Sequence, residues 1–243
     1  MDRSRLELSP GVWLDARRAV LLEENGVLAI ADLHLGYSWA HRHDGNLLPI
    51  SAREDSVERL AELVRDYRPR EVALLGDIVH RAILLPALQE ELCRLFGQIE
   101  ELAPLRLILG NHDANLRRLL HDCGLEPSLA RVLEVGPHLL LHGDEMDETV
   151  AATALAETRA RGGRIFIGHE HPAFTLSDGV ASRVKCPCFL ASEELVVLPA
   201  FSRWAAGTDV REARFLSPYA RQTRCTRAIV VAAGKLLPLR LSS

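Results

Sequence analysis

Apolar residues in this chain come first as short runs between amphipathic stretches, and later as runs between tight turns. The run AVLL (19–22), the polar turn Glu24-Asn25-Gly26 and the run VLAIA (27–31) predict a β-hairpin. In SAREDSVERLAELVRDY (51–67), Val57, Leu60, Ala61 and Val64 recur on one face, which predicts an amphipathic helix with Ser51 as its N-cap. A buried strand EVALL (71–75) follows, then a helix over 84–102 that tolerates Pro86 in its first turn. The strand LRLILG (105–110) leads to a short helix (114–124) closed by Gly124. VLEVGPHLLLH (132–142) predicts a hairpin turning at Gly136-Pro137, followed by a helix (148–162) and a strand RIFI (164–167).

Residues 173–241 look like successive hairpins, apart from 200–225, which fit no element and are long for a plain connection. Strands alternating with helices in the first half, and hairpins in the second, predict one layered α/β domain over residues 1–243. Two sheets would share its core.

Composition narrows this picture. With 48% hydrophobic and 26% charged residues the chain can bury a large core, and a net charge of −4 argues against a histone-like polycation. No apolar stretch reaches the length of a signal peptide or a membrane span, so an intracellular, cytoplasmic protein is expected. The five scattered cysteines are expected to be reduced. Cys186-Pro-Cys188 lacks the second pair of a zinc site and reads as two thiols on opposite or edge positions of a strand.

The candidate chemistry lies at the strand ends. LAIADLH ends in Asp32 and His34, VALLGD in Asp77, and LRLILGNHD in Asn111, His112 and Asp113. HLLLHGD ends in His142, and RIFIGHEH in His169 and His171. Polar groups beyond the strand ends of an α/β sheet converge on one rim, where ligands bind. Strand period two points Asp32 and His34 to one side, and likewise His169 and His171. Glycines before Asp77, Asn111 and His169 permit close backbone approach.

Mixed imidazole and carboxylate donors suit Mn, Fe, Zn or Ni, and seven ligands exceed the needs of one tetrahedral ion. They divide between two divalent transition metals that share a carboxylate, an arrangement suited to in-line displacement at phosphorus by activated water. A lone histidine at a strand end is usually structural. Five such endings in one chain are not independent accidents.

In this order, DLH, GDIVH, GNHD, HGD and GHEH resemble the calcineurin-like metallophosphoesterase superfamily. The resemblance implies a four-layer αββα sandwich of two mixed β-sheets flanked by helices. It assigns Asp32, His34, Asp77 and His171 to one metal, and Asp77, Asn111, His142 and His169 to the other. Metal-bound hydroxide would be the nucleophile, and His112, oriented by Asp113, would serve the leaving oxygen. His80 stands where most of the superfamily has a second aspartate. That form, with DLHLGY and KCPCFL…LPAFSRWAAGTDV, resembles the branch of ligase-associated, PdeM-type DNA damage response endonucleases.

The branch implies a manganese-dependent DNA endonuclease working beside a DNA ligase or helicase of a repair operon. A phosphomonoesterase, cyclic-nucleotide phosphodiesterase or nucleotide pyrophosphatase is the alternative for the same ligands. His80 and His43 are candidate substrate contacts, with a ligand-supporting or incidental role open for His80. His41 could flank the substrate entrance, and Trp39 could stack on a base. The arginines of 200–225, interleaved with Trp204, Phe215 and Tyr219, could form a nucleic-acid surface.

Overall fold

The computed structural model describes residues 3–45, 55–81, 86–126, 128–205, 207–212 and 214–241. The first sheet carries strands in chain order: β1 (Arg5–Ser9), β2 (Val12–Asp15), β3 (Ala19–Leu22) and β4 (Val27–Ala31), then β5 (Glu71–Leu75), β6 (Leu105–Ile108) and β7 (Ser128–Ala130). The pairings from β1 to β4 are antiparallel, and those from β4 to β7 are parallel. Helices α1 (Tyr37–His43) and α2 (Ser56–Tyr67) follow β4, α3 (Pro86–Glu100) follows β5, and α4 (Leu116–Asp122) follows β6. These are crossovers of the kind that parallel pairing requires.

The second sheet is built from β8 (Val132–Val135), β9 (His138–Leu141), β10 (Ile165–Ile167), β11 (Pro172–Ser177), β12 (Arg183–Ala191), β13 (Leu195–Val197) and β14 (Thr208–Asp209). Their order is β14-β11-β12-β13-β10-β9-β8, and β15 (Arg227–Ala232) pairs with β12 and β16 (Lys235–Arg240). Helix α5 (Glu148–Ala160) precedes β10, and α6 (Pro218–Gln222) precedes β15.

Strand β4 shows why the chain forms layers. Val27, Ala29 and Ala31 join the core between the sheets, while Leu28 and Ile30 face the helices. Five buried residues in a row are what period two produces in a strand covered on both faces. The inter-sheet core joins Leu22, Leu75 and Ile108 to Leu140, Phe166, Phe189 and Val196. A second core packs α2, α3 and α4 on the first sheet through Leu60, Leu63, Phe96, Ile99 and Leu119. A third packs α5 and α6 on the other sheet through Leu155 and Tyr219. The expected two mixed sheets flanked by helices are therefore present.

Several expectations need amendment. The β1–β2 pair was not anticipated. Helix α2 starts at Ser56 after Asp55, and the expected cap Ser51 lies outside the described residues. Residues 200–225 are not a bare loop, since they contain β14 and α6. Cys93 on α3 and Cys123 at the end of α4 form a disulfide with Cα atoms 5.0 Å apart, which corrects the expectation of five reduced thiols. Their separation of 30 residues hid a contact that only the docking of α4 beside α3 creates. The cysteines therefore no longer argue for a reducing compartment. Cys186 and Cys188 are free, buried and two apart on β12, so they share a face instead of lying on opposite ones. No helix among the described residues is long and apolar enough to cross a membrane.

Candidate metal centre

The exits of β4, β5, β6, β9 and β10 meet at one rim, and the side chains that follow them gather into two groups. The ligand atoms of Asp32, His34, Asp77 and His171 lie within 4.8 Å of one another, and so do those of Asp77, His142 and His169. Asp77 belongs to both. Within the first group His34 Nε2 faces His171 Nε2 at 3.2 Å, and Asp32 Oδ1 is 3.5 Å from the latter. Within the second, His142 Nε2 is 3.3 Å from Asp77 Oδ1 and 3.2 Å from His169 Nδ1. Asn111 Oδ1 joins this group, 3.2 Å from His142 Nε2.

The backbone, more than strand alternation, aims these groups. Asp32, His34, Asp77, His169 and His171 all follow the ends of their strands, and all have positive φ, between 43° and 65°. Among the described residues only three other non-glycine positions do so: Arg18, Arg68 and Ala233. Each such residue costs on the order of 1–3 kcal/mol, and such strain persists where surrounding structure enforces it, typically at functional sites. The period-two explanation for the pairing of Asp32 with His34 and of His169 with His171 is therefore replaced by successive left-handed turns.

The glycines supply room rather than flexibility. A Cβ on Gly76 would lie 2.3 Å from His142 Cγ, one on Gly110 2.4 Å from Asp77 Oδ1, and one on Gly168 2.7 Å from Asp32 Oδ2. Only Gly76 of the three also needs positive φ.

Hydrogen bonds set the ring orientations. His142 is fully buried, and its Nδ1 lies 3.1 Å from the Leu75 carbonyl, which accepts from it and leaves Nε2 a lone pair for the shared space. His112 Nδ1 likewise meets the His80 carbonyl at 2.8 Å, while its Nε2 lies 3.8 Å from Asp77 Oδ2. Asp113 was expected to orient His112, but its carboxylate is occupied elsewhere. It accepts from the backbone N–H groups of Gly110, Ile78 and Val79 and ties the β6 exit to the β5 exit. The hydrogen-bonding partner of the His112 ring is the His80 carbonyl.

The electrostatics favour binding of cations. Burial alone would raise the Asp32 carboxyl, but His171, His142 and His34 outweigh it and hold it near 2. Burial pushes His34 down to about 3 and also lowers His169, so both stay neutral with lone pairs available. Asp32, held ionised beside the lowered imidazoles of His34 and His169, together with Asp77, Asn111, His142 and His171 forms a mixed carboxylate and imidazole donor set that fits a pair of divalent metal ions. Most of these groups are buried, where unpaired anionic charge calls for a cationic partner.

The remaining candidates separate clearly. His80 belongs to the site: its Nδ1 lies 3.5 Å from His34 Nδ1, and its ring stands near those of Tyr37, His41 and His112. His43 is not brought in. It lies exposed at the end of α1 with Asp44 as its neighbour, and His41, two residues earlier on a different face of the helix, stacks on His80 instead. Trp39 packs on the helix-side core of the first sheet.

The interleaved arginines and aromatics of 200–225 do not form a single surface. Phe215 and Tyr219 pack into the third core, Arg211 pairs with Asp209, and Arg221 pairs with Glu148. Trp204 does reach the site, stacked on Tyr37 at 5.8 Å. Glu170, between two candidate ligands, was passed over in the sequence. It accepts from Ser217 N–H and anchors the 200–225 segment to the rim. Its position inside GHEH was the only available clue.

The calcineurin-like phosphoesterase family model matches residues 26–173, more than half of the chain. No curated protein matches it. Among solved structures, the chain is similar to a nuclease, MPE, of Pseudomonas putida, at 22% identity with a TM-score of 0.67, over 98% of this chain and 100% of that one. A protein of unknown function from Aquifex aeolicus matches over 60% of this chain and 78% of that one, at 14% identity with a TM-score of 0.34.

Proposed function

Because the chain belongs to the calcineurin-like phosphoesterase family, we propose that it is a two-metal phosphodiesterase acting on nucleic acid, with DNA as substrate and manganese as metal. The observation that carries this reading is the Asp77 carboxylate standing between two imidazole-rich groups, with His112 beside it. Asp32, His34, Asp77 and His171 would hold one cation, and Asp77, Asn111, His142 and His169 the other. Bound there, divalent cations supply Lewis-acid polarisation of a phosphoryl oxygen and make water acidic enough to attack near neutral pH. Fe or Zn suits the same donors, and availability decides between them.

The protein's own groups do the rest. In its imidazolium form His112 gives one N–H to the His80 carbonyl and directs the other at the leaving oxygen, which needs a proton or a positive partner as its bond breaks. Asp113 acts as a positioning residue, because its three backbone hydrogen bonds hold the Gly110–His112 turn over Asp77. His80 supports His34 on one side and His112 on the other.

A nucleic-acid substrate is supported by the likeness in fold, over nearly the whole chain, to a nuclease. The GDIVH and LPAFSRWAAGTDV segments support the DNA-repair branch, and with it a ligase or helicase as working partner. The whole of 1–243 is read as one catalytic domain, since β12, β13 and β15, beyond the matched region, complete the inter-sheet core.

Purified protein assayed with manganese against single-stranded DNA, an aryl phosphodiester and an aryl phosphomonoester tests the proposal. Cleavage of both diesters, with the monoester far slower, is expected. Turnover of the monoester alone would reject it.

A further inference from the structure

Next to the metal centre lies a small cleft of about 130 Å³ that the proposed chemistry leaves unused. Arg18, Lys185 and Arg203 line it together with His171, so it adjoins the first metal group directly. No acidic side chain lines it among the described residues. The positive charge there is poorly balanced. Arg59 and Arg203 both crowd Arg18, and the carboxylate that faces this group is Asp55, 2.7 Å from Arg203 and 3.7 Å from Arg59. Lys185 spends its ammonium on a neutral acceptor, the Gly207 carbonyl, at 2.9 Å.

Burial pushes the Arg18 guanidinium down to about 10, so it remains cationic at neutral pH. It donates to the Ala200 and Ser202 carbonyls and thereby fixes one wall. Lys185 also lines a broader cleft, of about 730 Å³, where Arg183 and Arg211 are offset by Asp209 and Glu212. The unbalanced charge is thus concentrated next to His171.

We propose that the cleft of Arg18, Lys185 and Arg203 binds the phosphate adjacent to the one being cut, so that the enzyme selects a chain of phosphodiesters over an isolated diester. This rests on the phosphodiesterase reading above. Guanidinium groups match phosphate oxygens in charge and in planar hydrogen-bonding geometry, and an ammonium adds a point charge. A volume of this size takes a phosphate group and excludes a nucleobase with its sugar.

The test compares kcat/KM for a single-stranded DNA oligonucleotide and for an aryl phosphodiester that carries one phosphate, in wild type and in an Arg203→Ala/Lys185→Ala double variant. Both side chains are exposed, and Arg18, which braces the backbone, is left in place. The loss on the oligonucleotide should exceed the loss on the aryl diester by about tenfold, mainly through KM, as expected for charge-assisted contacts. The salt dependence of oligonucleotide cleavage should become shallower by about one unit of log–log slope per cation removed. Placing a neutral methylphosphonate beside the scissile linkage should impair wild type and change the double variant much less.

Equal losses on the two substrates, or an unaltered salt slope, would overturn the proposal. Wild-type cleavage of oligonucleotides with wild-type behaviour of the double variant would overturn the cleft alone. Turnover of the aryl diester with no cleavage of any oligonucleotide would overturn the nucleic-acid reading as well.

Discussion

Asp77 Oδ1 lies 3.3 Å from His142 Nε2, and the same carboxylate belongs to the group formed by Asp32, His34 and His171. One anion therefore serves two sets of donors. Asp77→Asn keeps the shape and removes the charge. Turnover of an aryl phosphodiester should fall by at least about a hundredfold, since even residues that only support metal ligands are worth 10–100-fold. Manganese content after dialysis should fall below that of a His169→Ala variant, which touches one group only. Equal retention in the two variants would contradict the shared role.

Gly76 and Gly110 make a steric prediction. Gly76→Ala would press a methyl group against the His142 ring, and Gly110→Ala against the Asp77 carboxylate. Each should abolish turnover and lower the melting temperature, because overpacking costs about 1–3 kcal/mol or more. Gly97, within α3, has nothing within 4 Å, so Gly97→Ala should be neutral or stabilising by up to about 1 kcal/mol. Thermal denaturation of the three variants checks the contrast.

In chelator, stability should depend on pH with a sign that follows from burial. His34 is pushed from 6.5 to about 3 and His80 to about 4, both chiefly by burial. Between pH 4 and 6.5 the unfolded chain protonates both while the folded chain does not, so stability falls as pH falls. Asp113 opposes this. Burial raises it from 3.8 to about 6, so its contribution is present at low pH and is lost as pH rises towards 6. His169 is shifted down and His171 up, and these two oppose one another. Glu91 and Glu170, also raised by burial, act with Asp113, and His138, lowered by burial, acts with the histidines. The large shifts of His34 and His80 decide the sign, so the melting temperature should climb from pH 4 to 6.5, and less steeply in His34→Gln. A flat or falling profile would contradict this.

The disulfide predicts a thiol count. Under denaturing, non-reducing conditions a thiol reagent should label three cysteines, Cys186, Cys188 and Cys225, and five after reduction. Closing a loop of this length stabilises by about 3–4 kcal/mol in the chain-entropy view. Cys93→Ser/Cys123→Ser should accordingly melt lower and be indifferent to reductant.

Most of the frame was legible because its signals are local. The Glu24-Asn25-Gly26 turn, Pro86 at the start of α3 and Gly124 after α4 each act within a few residues, and each stands where it was expected. The rim was legible for a different reason, since apolar runs ending in Asp, Asn and His recur five times. Unreadable features depended on packing between distant segments. Nothing near Cys93 points to Cys123, nothing near His112 points to the His80 carbonyl, and the left-handed turns at Asp32 and His34 have no glycine to announce them. His43 and His41 are equivalent in sequence, and only the pitch of α1 decides which one meets His80.

Anomalous diffraction from crystals soaked in manganese tests the central claim most directly. Two peaks about 3.5–4 Å apart are expected. One should be bounded by Asp32, His34 and His171, the other by Asn111, His142 and His169, with Asp77 between them. A single peak, or peaks away from Asp77, would contradict it.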